Sequence, residues 1–147
     1  MESTLQQYLS RHRDRIRDHS PESVNRRLDQ LTEASLATAI RGGRDAVQRR
    51  MTELDYEWDI DRALMLNFAV AGGTALALGL HRFVKGPSFV RRKGFFYLLG
   101  AQLAFLAMHA VVGWCPPTAL FRRLGYRTRP EIEAERLALV RGVPPLK

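Results

Sequence analysis

Two apolar stretches that contain no charged residue constrain this chain more than any other feature of its sequence. They run from Ala63 to Leu80 and from Gly94 to Trp114, in a chain of which 26% of the residues are charged. A helix needs about 20 apolar residues, each rising about 1.5 Å, to cross a hydrocarbon core roughly 30 Å thick. The two stretches therefore predict membrane-spanning helices over residues 63–82 and 94–114.

The sequence before the spans has the pattern of amphipathic helices. Apolar residues between positions 24 and 39 recur every three or four residues, which places them on one face of a helix. We expect Ser20 to cap this helix, with Pro21 in its first turn, and Gly42-Gly43 to end it. These patterns predict an all-α membrane protein: an antiparallel two-helix transmembrane hairpin with N-terminal amphipathic helices and a short C-terminal helix.

The same patterns divide the chain into three parts. Residues 1–56 are expected to form a cytoplasmic amphipathic helical region and residues 57–128 the two-span transmembrane hairpin. Residues 129–147 are expected to form a C-terminal cytoplasmic helix and tail. Thr128 and Glu131 have the spacing of a capping box, which predicts where that last helix begins.

The net charge of +8 is unevenly distributed along the chain. Residues 1–62 contain 11 basic and 12 acidic residues, whereas residues 63–147 contain 12 basic and 3 acidic residues. The basic excess therefore flanks the spans, where anionic lipid head groups attract it. A nucleic-acid-binding protein needs a basic face on its soluble part, so this distribution argues against a nucleic-acid partner.

The orientation in the membrane follows from the basic residues near the ends of the spans. Eight of them lie on the side of the two termini and five in the connection between the spans. Since basic residues favour the cytoplasmic side, we expect both termini to be cytoplasmic. The predicted location is the bacterial inner (cytoplasmic) membrane, as a multi-pass protein.

Four polar residues inside the spans are candidates for function, because polar groups are costly in a bilayer. Asn67 and Thr74 lie in the first span, and Gln102 and His109 in the second. The two residues of each span are seven positions apart, so they share one helix face. Similar depths predict interhelical layers of Asn67 with His109 and of Thr74 with Gln102, which act as hydrogen-bonded glue. The alternative is a polar path through an oligomer, with His109 as the titrating group.

Small residues recur along the spans at intervals that let membrane helices approach closely. We interpret them as packing residues, either within the hairpin or between protomers, and expect a homodimer or a complex with another membrane protein. The candidate packing residues are Ala69, Gly73, Ala77, Gly100 and Ala104.

Basic residues next to the spans are expected to bind the head groups of the lipid bilayer. A short helix over residues 118–125 is expected to lie along the membrane surface. Its residues Leu120, Phe121 and Leu124 are expected to turn inward and its arginines toward phosphates. The candidate head-group ligands are Arg91, Arg92, Arg122 and Arg123.

Two other features have a chemical and a structural interpretation each. Cys115 is the only cysteine, which excludes an intramolecular disulfide. It follows the carboxyl end of a helix, where a thiolate is disfavoured, so we interpret it as a small buried hydrophobe and keep a redox thiol as the alternative.

The segment Glu53–Asp61 contains five acidic residues. We interpret it as an acidic edge facing arginines, with a bound cation as the alternative.

The segments around the spans resemble a known family. Glu57-Trp58-Asp59-Ile60-Asp61-Arg62 leads into the first span, and Gly113-Trp114-Cys115-Pro116-Pro117 closes the second, followed by Leu-Phe-Arg-Arg-Leu-Gly-Tyr-Arg-Thr at 120–128. This arrangement, over residues 57–140, resembles the YgaP-like inner-membrane family of two-helix hairpins. The resemblance implies an inner-membrane module of unknown function that dimerises and has cytoplasmic termini. Some members carry a rhodanese domain that transfers sulfur. Residues 1–62 contain no cysteine and are too few for that domain, so sulfur transfer is not implied.

The sequence contains no arrangement that indicates catalysis. We find no nucleophile–base pair, paired-carboxylate site or glycine-rich phosphate loop. We therefore expect a non-enzymatic interaction or accessory module without a cofactor or metal. Two alternatives stay open: an oligomeric conduit for a small anion or sulfur species, and a thiol redox sensor that uses Cys115.

Overall fold

The computed structural model describes residues 4–85 and 93–142, and the regular secondary structure in these ranges is entirely helical. The all-α expectation is confirmed. The connection between the two predicted spans, with the head-group candidates Arg91 and Arg92, lies outside the described residues. The helices are α1 (Thr4–Arg11), α2 (Arg15–Asp18), α3 (Glu22–Arg41), α4 (Gly43–Tyr56), α5 (Ile60–Lys85), α6 (Lys93–Val112), α7 (Pro116–Leu124) and α8 (Arg129–Gly142).

The ends of α3 match the predicted break but not the predicted cap. The helix stops at Arg41, just before the two glycines, as expected. The prediction that Ser20 caps it is wrong, because α3 has no side-chain cap and Ser20 Oγ donates to the carbonyl of Ile16 at 2.7 Å. Ser20 follows the end of α2, so its hydroxyl is close to a carbonyl one turn back and bonds there instead.

Two helical stretches are long and apolar enough to cross a membrane: Gly43–His81 and Gly94–Val112, each with an 18-residue window of mean hydropathy 1.8. The apolar part of the first stretch is α5, and the second stretch is α6. None of the residues in the α6 window is buried within the protein. Large apolar side chains face outward on both helices, among them Met65, Val70, Leu76, Leu103, Leu106 and Val111.

The helices α5 and α6 pack against each other in opposite directions. At the start of α5, Asp61 Oδ1 lies 3.0 Å from Nε2 of His109, close to the end of α6. Near the other end of α5, a Cβ added to Gly79 would lie 3.5 Å from Cβ of Phe95, in the first turn of α6. Contacts that advance along α5 thus move back along α6, which defines an antiparallel pair.

The other long helices form a bundle in which α8 is central. This helix contacts α1, α3 and α4. The main core combines residues of α3 and α4 with residues of α8, namely Ala39, Val47, Leu54, Ile132 and Leu139. The predicted N-terminal and C-terminal helical regions therefore pack into one another.

A second apolar cluster lies where the bundle meets the α5–α6 pair, and we call it the base cluster. Its buried members come from α2, from the first turns of α5 and from the residue before α7: Ile16, Ile60, Leu64 and Cys115. Phe68, Phe105, Met108, Phe121 and Tyr126 pack around them. The base cluster thus ties the bundle to the apolar helices.

Candidate functional site

The bundle contains a group of buried arginines and carboxylates, which we treat as the candidate site. Arg122 of α7 is only 1% exposed, and Glu131 of α8 is 4% exposed. Nη1 and Nη2 of Arg122 donate to the two carboxylate oxygens of Glu131 at 2.5 and 2.8 Å. Nη2 also donates to Asn25 Oδ1 of α3 at 2.7 Å. One guanidinium thereby links α7, α8 and α3.

The position of Arg122 corrects the prediction that it binds lipid head groups. Its guanidinium points into the bundle because Glu131 and Asn25 offer it hydrogen-bond acceptors there, whereas Leu120 and Leu124 on the same helix face outward. A charge inside a protein needs such partners, and the paired carboxylate supplies them. Arg123 is exposed, so it stays available to head groups.

Arg17 extends this group to α2. Its Nη1 donates to Glu131 at 2.8 Å and to Asp29 Oδ1 of α3 at 2.9 Å, and its Nη2 donates to Asp29 Oδ2 at 2.6 Å. Glu131 therefore lies between two guanidinium groups, and Asp29 balances part of their charge. The arrangement holds α2, α3, α7 and α8 together by charge-assisted hydrogen bonds, which are the strong kind.

A second group of charges centres on Glu135, which is fully buried on α8. Arg127 Nη1 donates to Glu135 at 2.5 Å, and Arg50 of α4 donates to it through Nε at 2.8 Å and through Nη2 at 3.1 Å. Arg127 also bonds both oxygens of Glu57, at 2.6 and 2.7 Å. Glu57 lies in the link between α4 and α5, so this group connects the bundle to the start of the first apolar helix.

Both buried carboxylates are held in the ionised form. Burial alone would raise the pKa of Glu131, but bonds and charge from Arg122, the backbone N–H of Thr128 and Arg17 outweigh it and leave that pKa below its ordinary value. For Glu135, burial is likewise outweighed, here by Arg50 and Arg127, so its pKa is lowered too. These groups are thus permanent charges at neutral pH rather than titrating ones.

The start of α8 has the capping box that the sequence predicted. The backbone N–H of Thr128 donates to Glu131 Oε2 at 2.8 Å, and that of Glu131 donates to Thr128 Oγ1 at 3.3 Å. The same hydroxyl donates to Asp14, the residue that caps α2. The glutamate of the local capping box is therefore also the central carboxylate of the buried group.

The polar residues of the two predicted spans do not form the predicted layers. His109 bonds Asp61, in the first turn of α5, instead of Asn67. Gln102 Oε1 is buried without a hydrogen-bond partner among the described residues, and Thr74 is exposed. The predicted register is therefore wrong. The small residues Gly72 and Gly79, rather than the polar ones, face α6, which accounts for the different register, and Ala75 between them is buried.

The predicted packing residues lie mostly away from the α5–α6 contact. Ala69, Gly73 and Ala77 are exposed along one side of α5, and nothing lies within 4 Å of a Cβ added to Gly73. On α6, Gly100 and Ala104 are exposed as well. In a single chain these small residues are therefore exposed on the outer sides of α5 and α6.

Cys115 is completely buried in the base cluster. Its Sγ lies 3.1 Å from Thr118 Oγ1, and its backbone N–H donates to the same hydroxyl at 3.3 Å. The residue thus begins α7 as well as filling the base cluster, which agrees with the interpretation as a small buried hydrophobe. The thiol has no exposure to solvent in this conformation.

The acidic segment faces arginines, as the structural interpretation expected. Glu53 pairs with Arg50 at 2.9 Å, and Asp55 with Arg136 of α8 at 2.6 Å. Asp59 accepts the backbone N–H of Arg62 at 2.8 Å and caps α5. In the described parts of the chain, no group of three or more histidine, cysteine, aspartate or glutamate residues is placed to hold a metal ion.

Sequence reasoning missed Arg17, Arg50, Arg127 and Glu135 as members of the site. A signal was present in the charge distribution. The only three acidic residues after position 62 are Glu131, Glu133 and Glu135, all on one helix among many basic residues. Two of them are four residues apart on a face with Ala134 and Ala138, which marks that carboxylate face as buried.

Fold and site together define a class: an all-helical protein in which an ion-paired bundle carries two helices long and apolar enough to cross a membrane. Comparison of the chain with known protein families, with curated proteins and with solved structures found no match.

Proposed function

We propose that this chain is a bacterial inner-membrane protein whose α5 and α6 cross the bilayer as a hairpin, and that it serves as a non-enzymatic interaction module. The observation that carries the proposal is the set of outward-facing apolar side chains on both helices, which the other described parts of the chain leave exposed. Soluble monomers rarely expose apolar patches of this extent, whereas a bilayer covers them.

The ion-paired bundle gives such a module a rigid connection to the hairpin. The backbone N–H of Ile60, at the start of α5, donates to the carbonyl of Arg127 at 2.9 Å. Glu57, three residues before Ile60, accepts hydrogen bonds from Nε and Nη2 of the same arginine. A partner that binds the bundle would therefore be held at a defined place and angle beside the membrane.

We further propose that the protein forms a homodimer through the outer face of α5. The support is that Ala69, Gly73 and Ala77 lie four residues apart, are exposed, and take no part in the contact with α6. Small residues at this spacing let two membrane helices approach closely. Membership of the YgaP-like family, whose hairpins dimerise, remains part of this proposal.

Membrane insertion and orientation are tested with single cysteines. Cys115 is buried and unsuited to labelling, so we would use a Cys115→Ala background with a cysteine at Glu33 of α3 or at His81 near the far end of α5, both exposed. A membrane-impermeant maleimide should label His81→Cys in intact bacterial cells and Glu33→Cys only after permeabilisation. Release of the protein from membranes by alkaline carbonate would refute insertion, and the reverse labelling would refute the cytoplasmic bundle.

The dimer is tested by enlarging one small residue. Gly73→Ile should convert the detergent-solubilised protein from dimer to monomer in sedimentation equilibrium, because the branched side chain keeps the two helices apart. Ala101→Ile, at an exposed position of α6, is the matched control and should leave the dimer intact. A dimer that persists in Gly73→Ile would show that this face is not the contact.

A further inference from the structure

Helix α7 buries two of its polar residues and exposes two of its leucines. Thr118 and Arg122 are buried, whereas Leu120 is 58% exposed and Leu124 is 65% exposed. The two leucines lie four residues apart, on one side of the helix. A surface helix in water has the opposite arrangement, so this outer side suits an apolar environment.

The position of α7 places its outer side next to the apolar helices. It begins four residues after α6 ends. Its Phe121 packs in the base cluster against residues from the first turns of α5, among them Ile60 and Leu64. The helix therefore lies beside the end of the α5–α6 pair at which α5 begins and α6 ends, next to the bundle.

An aromatic residue lies beside one of the exposed leucines, with one cation against its ring and a second cation next to that leucine in the helix. Trp58, which is 43% exposed, lines a shallow cleft together with Leu124. The guanidinium of Arg62 lies 5.1 Å from the centre of the Trp58 ring, and Arg123 is exposed beside Leu124. Tryptophan is enriched at the interface between membrane and water, where arginine also meets lipid phosphates.

We propose that this surface, formed by Leu120, Leu124, Trp58, Arg62 and Arg123, inserts into the cytoplasmic leaflet and binds the head groups of anionic phospholipids. The inference rests on the proposed insertion of α5 and α6 into the membrane. In this arrangement α7 lies in the plane of the leaflet, with its leucines at the boundary of the acyl chains. Arg62 and Arg123 then face the phosphate layer, and Arg123 belongs to the basic excess of residues 63–147.

The depth of Trp58 provides the test. The chain has two tryptophans, so Trp114→Phe leaves Trp58 as the only reporter. The full chain would be reconstituted into vesicles of phosphatidylcholine and phosphatidylglycerol whose acyl chains carry bromine, which quenches tryptophan only at short range. We expect Trp58 to be quenched, and Leu120→Ser/Leu124→Ser to reduce the quenching strongly. Val140→Ser, at an equally exposed position near the end of α8, should not reduce it.

Selectivity for anionic lipid is tested by placing bromine on one lipid at a time. Quenching should be stronger when phosphatidylglycerol carries the bromine than when phosphatidylcholine does, and Arg62→Gln/Arg123→Gln should remove this difference. Equal quenching by the two lipids in the parent protein would overturn the head-group assignment.

Failure of this inference can be told apart from failure of the membrane proposal. An unquenched Trp58 in protein that resists carbonate extraction would overturn the insertion of α7 alone. Protein that carbonate releases would refute both.

Discussion

Arg122 and Glu131 form a bidentate ion pair between α7 and α8 that excludes solvent from both side chains, with contacts of 2.5 and 2.8 Å. The pair lies nine residues apart in the sequence, across the turn that separates the two helices. Because α7 follows α6 closely and α8 is central to the bundle, this contact connects the end of the second apolar helix to the bundle core.

Removing the guanidinium of this pair should destabilise the bundle strongly. Arg122→Ala leaves Glu131 buried with one of its two cationic partners missing, and breaking a buried pair typically costs about 3–5 kcal/mol. Thermal unfolding in detergent, followed by circular dichroism, measures the effect. Arg123→Ala, the exposed neighbour, should change stability by no more than about 0.5 kcal/mol. Equal effects of the two substitutions would contradict the burial of Arg122.

The bundle should lose stability on acidification. The pKa values of Glu131 and Glu135 are lower in the folded protein than their ordinary value of 4.5, so folding favours the ionised form. Their contribution is therefore fully present above about pH 4.5 and is lost as the pH falls through the lowered values. Melting temperatures measured between about pH 7 and about pH 3 should show this decline.

A matched pair of variants assigns the acid effect to the buried carboxylates. Glu135→Gln should lower stability at neutral pH and flatten the decline below it, because one of the protonating groups is gone. Glu133→Gln, on the same helix but partly exposed, should keep the decline of the parent protein. If Glu135→Gln declines as steeply as the parent, the buried group does not cause the acid sensitivity.

The register of α5 against α6 can be read from disulfide formation. In a Cys115→Ala background, Gly79→Cys/Phe95→Cys should cross-link readily, because the Cβ separation of 3.5 Å suits a disulfide. Gly79→Cys/Tyr97→Cys corresponds to the register predicted from the polar residues and should cross-link poorly, since Tyr97 is exposed. Preferential cross-linking of Gly79→Cys/Tyr97→Cys would support the register predicted from the polar residues. Non-reducing electrophoresis with trypsin cleavage between the helices distinguishes the products.

Gly113 should tolerate no side chain. Its φ of +79° is in the left-handed region, and an added Cβ would lie 2.7 Å from Cβ of Arg15. Gly113→Ala should therefore cost about 1–3 kcal/mol in unfolding free energy and weaken the bond from Arg15 to the carbonyl of Val111, at the end of α6. Gly100→Ala, in the helix with nothing within 4 Å of the new methyl, should be neutral or slightly stabilising. A similar loss of unfolding free energy in Gly113→Ala and Gly100→Ala would argue against the close approach of Arg15 to Gly113.

Features that depend on neighbouring residues were predictable from the sequence. The two apolar helices follow from length and composition, and the capping box at Thr128 and Glu131 follows from a spacing of three residues. In each case the relevant partners lie within one or two helical turns.

Features that depend on which faces meet were not predictable. Matching polar residues by depth paired Asn67 with His109, but the volume of side chains governs how closely two helices approach, and the small residues at Gly72 and Gly79 face α6. Arg122 was assigned to lipid because the sequence around it is basic. Its true partners, Glu131 and Asn25, lie on two other helices.

The sequence by itself thus determined that the chain is helical, where its apolar helices run and where its last helix begins, because these depend on local composition and short spacings. Only the tertiary structure decided that α7 turns its arginine inward and its leucines outward, that α8 is the centre of the bundle, and how α5 and α6 are aligned. Those outcomes depend on long-range packing and on the cost of burying a charge without a partner. Both depend on residues that are distant in the sequence.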